Sequence, residues 1–175
     1  MNEQSKTTPY VSSIAAAPAY WQVGILWAML ATGAQTGGAY SLIWELCPKN
    51  SGAIPHFHDQ DEQFFVIDGE ITYLADGQEL RATAGSFVFI PRGTVHSFRV
   101  DSETATLLNS YSPAGFERVI TELAEPAPTR TLPPAGRPAA PFDMEKAKRI
   151  FQEVGMHRVD EPDVLRAGLA GAEHG

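Results

Sequence analysis

From Glu62 to Val100 apolar and polar residues alternate in short runs, each cut off by turn residues, a pattern that predicts β-strands half-buried in one domain. Gln63–Ile67 ends at Asp68-Gly69 and Glu70–Leu74 at Asp76-Gly77, and each Asp-Gly pair suits a two-residue hairpin turn that needs positive φ. Gln78–Ala82 leads to Gly85, and Ser86–Ile90 stops at Pro91-Arg92-Gly93, because proline fixes φ and removes a ladder donor. Val95–Val100 follows as another strand. Gly38–Leu46, the segment around Trp27 and Thr104–Ser110 carry the same β-branched and aromatic content, which brings the total to roughly eight strands, enough for a barrel or jelly roll. No βαβ alternation is visible, so the fold class is all-β and antiparallel.

The pattern changes after Ile120. Pro126, Pro128, Pro133, Pro134, Pro138 and Pro141 punctuate an Ala-rich stretch expected to join neither sheet nor helix and to run over the surface as a strap. Asp143 then offers an N-cap for a helix over Met144–Val154, whose Met144, Ala147, Ile150, Phe151 and Val154 form one apolar stripe, and Gly155 supplies the stop. The expected organisation is an N-terminal arm (1–20), a β-barrel (21–120), the Pro-rich strap (121–142), and a C-terminal helix and tail (143–175). Both chain ends, Met1 to Thr8 and Ala170 to Gly175, are expected to fray.

With 175 residues, 43% of them hydrophobic, the chain has material for one core plus an appendage. A formal charge of −8 provides no cationic field for a phosphate backbone or an anionic membrane, which argues against nucleic acid and membrane as partners. The apolar stretch Val23–Leu30 is far short of the about 20 residues needed to span a bilayer. Lys6 is offset by Glu3 and precedes that stretch at a distance unlike a secretory leader. A single cysteine, Cys47, forms no internal disulfide and reads as a small buried hydrophobe, so the expected location is cytoplasmic.

Against this background four residues stand out. His56, His58 and Glu62 share a face if one strand runs through them without a bulge, and His96 lies in a later strand that can pass within reach as an antiparallel neighbour. Single histidines in strands are commonly satisfied core residues, but three imidazoles with one carboxylate suit a divalent first-row transition metal better than Ca²⁺ or Mg²⁺. Phe64, Val66 and Phe98 fall in phase with this set, either as apolar walls of a substrate pocket or as ordinary barrel filling. Tyr40, Tyr73 and Trp27 are further wall candidates of undetermined direction. Asp59, Gln60 and Asp61 read as a solvated turn at the rim, and His157 and His174 as surface residues. There is no Ser/His/Asp grouping, P-loop or dinucleotide fingerprint.

The run His56-Phe57-His58-Asp59-Gln60-Asp61-Glu62 with Gly69, and the run from Gly85 through Pro91-Arg92-Gly93 to His96, resemble the two signatures of the cupin superfamily. Two positions depart from them: Asn50 stands where a glycine is expected, with Gly52 nearby, and Val100 where an asparagine is expected. The resemblance implies a double-stranded β-helix, or jelly-roll, barrel in which His56, His58, Glu62 and His96 are the metal ligands, and a homodimer that covers sheet edges and apolar outer faces.

Gln35-Thr36-Gly37-Gly38-Ala39-Tyr40-Ser41-Leu42, Asp61-Glu62, Ser112-Pro113-Ala114-Gly115-Phe116-Glu117 and the C-terminal helix extend the likeness to single-domain cupins related to quercetinases, the flavonol 2,4-dioxygenases. That likeness implies iron, nickel, manganese or cobalt as the metal, or zinc or copper as isolated. It implies O2 and an enolisable, flavonol-like small molecule as substrates, with Glu62 either a ligand alone or also the general base. The alternatives from the same superfamily are an isomerase or lyase that uses the metal as a Lewis acid, and a non-catalytic small-molecule-binding module.

Overall fold

A computed structural model describes residues 7–138 and 141–159 of the chain. Of the ends expected to fray, residues 1–6 and 170–175, with His174 among them, lie outside the described residues. Strands β1 (Ala19–Gln22) and β2 (Ile25–Ala31) are followed by a one-turn helix α1 (Gly33–Thr36) and by β3 (Ser41–Pro48). Then come β4 (His56–Phe57), β5 (Asp61–Asp68), β6 (Glu70–Ala75), β7 (Gln78–Thr83), β8 (Phe87–Ile90), β9 (His96–Val100) and β10 (Thr104–Ser112). Helix α2 (Arg118–Leu123), β11 (Glu125–Pro126), helix α3 (Met144–Glu153) and β12 (His157–Arg158) complete the described elements.

The strands form two antiparallel sheets, one of seven strands in the order β11-β1-β2-β3-β10-β5-β8 and one of five in the order β12-β4-β9-β6-β7. Side chains at alternate positions of both sheets fill the space between them: Ile43 and Cys47 of β3, Phe64 and Val66 of β5, Ile71 and Tyr73 of β6, and Ala105 and Leu107 of β10 are all at most 1% exposed. This is the two-sheet closure of a jelly roll, all-β as the residue pattern predicts.

Two local expectations change. Asp76 and Gly77 both have positive φ, 47° and 75°, and close the β6–β7 hairpin as expected. Asp68-Gly69 does not make a hairpin: β5 pairs with β8 and β10 while β6 pairs with β7 and β9, so this turn carries the chain from one sheet to the other. Gly69 suits that crossing because a Cβ there would meet the Thr104 carbonyl oxygen at 2.6 Å. The Pro-rich stretch also joins the sheet after all, since Glu125–Pro126 pairs with Tyr20 and Trp21. Pro126 is tolerated because β11 is an edge strand, where the missing N–H faces no neighbour.

The C-terminal helix is capped and stopped as its sequence suggests, but of the expected apolar stripe Met144 is exposed and Phe151 half-buried. Asp143 accepts a hydrogen bond from the Lys146 amide at 2.9 Å, Gly155 takes φ 68° after the last turn, and Ala147, Ile150 and Val154 are buried. The helix docks over one mouth of the barrel. Gln60, expected in a solvated turn, is instead 6% exposed and donates from Nε2 to the Val154 carbonyl at 3.1 Å, tying the helix end to the β4–β5 bend.

Candidate metal centre

His56, His58, Glu62 and His96 come together, but not along one strand. β4 ends at Phe57 and belongs to the five-stranded sheet, while β5 begins at Asp61 in the seven-stranded sheet. His56 and His96 are therefore direct cross-strand partners in one sheet, Glu62 reaches across from the other, and His58 comes from the bend between them. The expectation of one uninterrupted strand is corrected accordingly: sheet closure brings the four together. Arg92 fixes the delivery of His96, because its guanidinium and its amide both bind the Asp61 carboxylate, at 2.8 and 2.9 Å, and clamp the Pro91-Arg92-Gly93 turn to the start of β5. These bonds pull the Asp61 carboxyl down to about 2.

The four ligand atoms lie within 4.8 Å of one another, and all four residues are at most 4% exposed. Nδ1 of His56 lies 2.8 Å from the Ile54 carbonyl, Nδ1 of His58 3.0 Å from that of Gln60, and Nδ1 of His96 2.9 Å from that of Thr94. A carbonyl oxygen only accepts, so each Nδ1 carries a hydrogen, and in the neutral ring the Nε2 lone pair is left to point inward. Nε2 of His58 and of His96 then face the same carboxylate oxygen, Oε2 of Glu62, at 3.1 and 2.8 Å. Lone pairs meeting lone pairs in a buried space require a positive centre between them, a proton or a cation. The donor set, three nitrogens and one carboxylate oxygen, fits a divalent transition metal.

Charge balance points the same way. Burial alone would raise the Glu62 carboxyl, but hydrogen bonds from the His58 and His96 rings, made when those rings carry a second proton, outweigh it and hold the group well below the ordinary range. Burial works against charge on His96 as well, yet the Glu62 carboxylate raises its pKa above the ordinary value. For His56, burial and the neighbouring His96 push the pKa down to about 4.

Three buried polar neighbours escape the motif. Asn109 donates from Nδ2 to Oε1 of Glu62 at 2.9 Å and to the Tyr111 hydroxyl at 2.9 Å, so the carboxylate is held by its outer oxygen while Oε2 faces the imidazoles. Glu45 lies buried behind them, its carboxyl within hydrogen-bond reach of Asn109. Their signal is in the strand phase: Asn109 and Tyr111 share the inward phase of Ala105 and Leu107, and Glu45 that of Ile43 and Cys47.

His56, Glu62 and His96 open into a cavity of about 370 Å³ whose walls include Trp27, Phe98, Tyr111 and Phe116. Phe98 lines it, whereas Phe64 and Val66 do not. They sit one layer deeper in the core, 1% and 0% exposed, with the Phe64 ring 5.9 Å behind that of Phe98, because β5 runs away from the mouth beyond Glu62. Of the other wall candidates, Trp27 lines the cavity, Tyr73 is buried in the core and Tyr40 is exposed. His157 is exposed and stacks on Phe57 at 4.7 Å.

An antiparallel two-sheet barrel carrying three histidines and one glutamate between its sheets defines a class of small metal-site jelly rolls. Residues 42–111 match the family model described as Cupin domain, in keeping with the two-sheet barrel. Quercetin 2,3-dioxygenase of Bacillus subtilis is 32% identical over 92 residues, which are 52% of this chain and 27% of that protein. An uncharacterized protein of Aquifex aeolicus is 36% identical over 73 residues, 40% of this chain and 60% of its own length. The chain thus spans less than two thirds of either relative.

Among solved structures, an RmlC-like cupin from Shewanella frigidimarina has a TM-score of 0.55 at 20% identity, covering 61% of this chain and 93% of that one. KdgF from Halomonas sp. has a TM-score of 0.54 at 17% identity, covering 61% and 94%. At these identities the likeness establishes the fold. No helix of the described residues is long and apolar enough to cross a membrane.

Proposed function

We propose that the chain is a metal-dependent dioxygenase that uses O2 to oxygenate or cleave an enolisable, flat aromatic substrate of flavonol type. The observation that carries this reading is the convergence of ligand atoms from His56, His58, Glu62 and His96 at the buried end of an aromatic-walled cavity. The likeness to Quercetin 2,3-dioxygenase supports the substrate class.

Iron, nickel, manganese or cobalt suits the donor set, and when bound it would supply Lewis acidity that makes a substrate enol more acidic. The protein's own groups do the rest. Trp27, Phe98 and Phe116 exclude water and flatten the substrate against the site. Glu62 stands ready to take the enol proton, its charge maintained by His58 and His96 and its orientation by Asn109.

A second copy of the chain is the proposed partner. Phe65, Ile67, Phe87 and Phe89 project from the outer face of β5 and of the edge strand β8, each more than 40% exposed. Light scattering at twice the chain mass supports the dimer, and a monomer at all concentrations rejects it. A cytoplasmic location is proposed on the one unpaired, buried cysteine.

The deciding experiment joins metal analysis of the purified protein to an oxygen electrode with a flavonol panel. The expected result is one bound metal and substrate-dependent O2 uptake that chelation abolishes. Product formation at full rate under strict anaerobiosis would move the protein to the Lewis-acid isomerases and lyases. Tight binding of enols without turnover would make it a binding module.

A further inference from the structure

Arg158 lies opposite His56 in the β12–β4 pair, and His56 lies opposite His96 in the β4–β9 pair. Residues directly opposite in antiparallel strands project to the same face, about 5 Å apart. Arg158, His56 and His96 therefore form a cross-strand row, and all three line the same cavity. The row is graded: the two histidines are buried, and Arg158, on the edge strand, is exposed at the mouth.

Among the described residues of the cavity wall Arg158 is the one arginine or lysine, and the other formally charged group is Glu62 at the buried end. Nearby Gln22 commits its amide to the Val119 carbonyl at 3.4 Å. The remaining wall is mainly apolar and aromatic, a low-dielectric surround in which a single guanidinium attracts an anion more strongly than it would in open water. The chain as a whole carries −8 and repels anions, so an anionic substrate would need such a local cation to enter.

We infer that Arg158 is a specificity-determining residue that pairs with a carboxylate on the substrate. The preferred ligand is then a flat enolisable aromatic acid, its enol oxygen directed to the histidine-glutamate set and its carboxylate about 5 to 10 Å away at the mouth. The planar guanidinium fork matches a carboxylate in two-point geometry, which a lysine ammonium does not reproduce. This rests on the proposed reading of the cavity as a substrate site.

The test uses a matched pair of probes, a flavonol carrying a carboxylate on its pendant ring and the methyl ester of the same flavonol. Their binding to the metal-loaded protein is measured calorimetrically for the wild type, Arg158→Gln and Arg158→Lys. The wild type should prefer the acid by about fivefold, the range of a partly exposed ion pair. Arg158→Gln should bind both alike, Arg158→Lys should keep part of the preference, and added salt should weaken acid binding alone.

Equal binding of acid and ester by the wild type, a preference that survives Arg158→Gln, or binding of neither probe overturns the inference. Thermal midpoints of the variants equal to the wild type confirm that folding is not what changed. If the preference depends on Arg158 but O2 uptake never occurs, the anion site stands and the dioxygenase reading falls. If uptake occurs with acid and ester alike in Arg158→Gln and in the wild type, the anion site falls alone.

Discussion

Glu45 is fully buried in β3, with Oε2 3.8 Å from the Cys47 thiol and Oε1 without a partner. Burial pushes its carboxyl up to about 8, with Glu62 adding to the rise and Asn109 opposing it. At neutral pH the folded chain therefore keeps Glu45 protonated. Between 4.5 and 8 the folded chain keeps a proton that the unfolded chain releases. This contribution to stability is therefore whole below 4.5 and drains away as pH rises to 8, at about 1.4 kcal/mol per unit. Chelated Glu45→Gln should show a flatter fall of thermal midpoint from pH 5 to 8 than chelated wild type, followed by circular dichroism, and equal slopes would refute the protonated acid. Glu62→Gln keeps the side chain's shape and removes its charge, so metal affinity should drop by at least about a hundredfold, read by competition with a chromogenic chelator. At saturating metal this variant should still be inactive, and activity that survives with metal retained would limit Glu62 to holding the metal.

The loop between β3 and β4 shows how an element can be set by one missing atom. Asn50 and Ser51 hydrogen-bond both backbone groups of Val100, at 3.0 and 2.9 Å, and in the next step the chain presses so closely on β9 that a Cβ on Gly52 would sit 1.8 Å from the Phe98 carbonyl oxygen. Gly52→Ala should cost about 1–3 kcal/mol by forcing the loop off β9. Because Phe98 lines the cavity, it should also raise KM for an aromatic substrate more than it lowers kcat. An unchanged melting curve would show that the loop gives way freely. The strands from β5 to β10 were legible in the sequence to within two residues at each end, because alternation and turn residues are local signals. Sheet membership was not legible: Asp68-Gly69 carries the same turn chemistry as Asp76-Gly77, yet one crosses between sheets and the other closes a hairpin. The four clustered residues were legible from their spacing, although the reason they meet lies in the closure of the two sheets. Asn109, Glu45 and Arg158 were not singled out. The first two are polar residues at inward positions, which alternation alone reads as apolar, and the third lies in a two-residue strand whose partner is some hundred positions away.

At the scale of the whole molecule, the two sheets are joined at one end by groups that repel one another unless something positive lies among them. Glu62 belongs to the seven-stranded sheet and His56 and His96 to the five-stranded sheet, so a cation held by all three cross-links the halves of the barrel. A ligand that binds only the folded chain stabilises it by RT ln(1 + [L]/Kd), about 2.7 kcal/mol when the free metal is a hundred times its Kd. For a chain of this length that corresponds to a fall of roughly 5–10 °C in thermal midpoint after chelation. Protons can partly replace the cation, since Glu62 raises the pKa of His96, but that substitution weakens as pH rises through the raised value. Metal binding, in contrast, requires imidazoles free of the second proton and gains as pH rises. The gap between metal-loaded and chelated midpoints should therefore widen from pH 6 to pH 8, and restoring Ni²⁺ or Co²⁺ should close it while Ca²⁺ and Mg²⁺ should not. A gap that is absent, or that Ca²⁺ closes as well as Ni²⁺, would mean that the histidines and the glutamate hold the sheets together by protons alone.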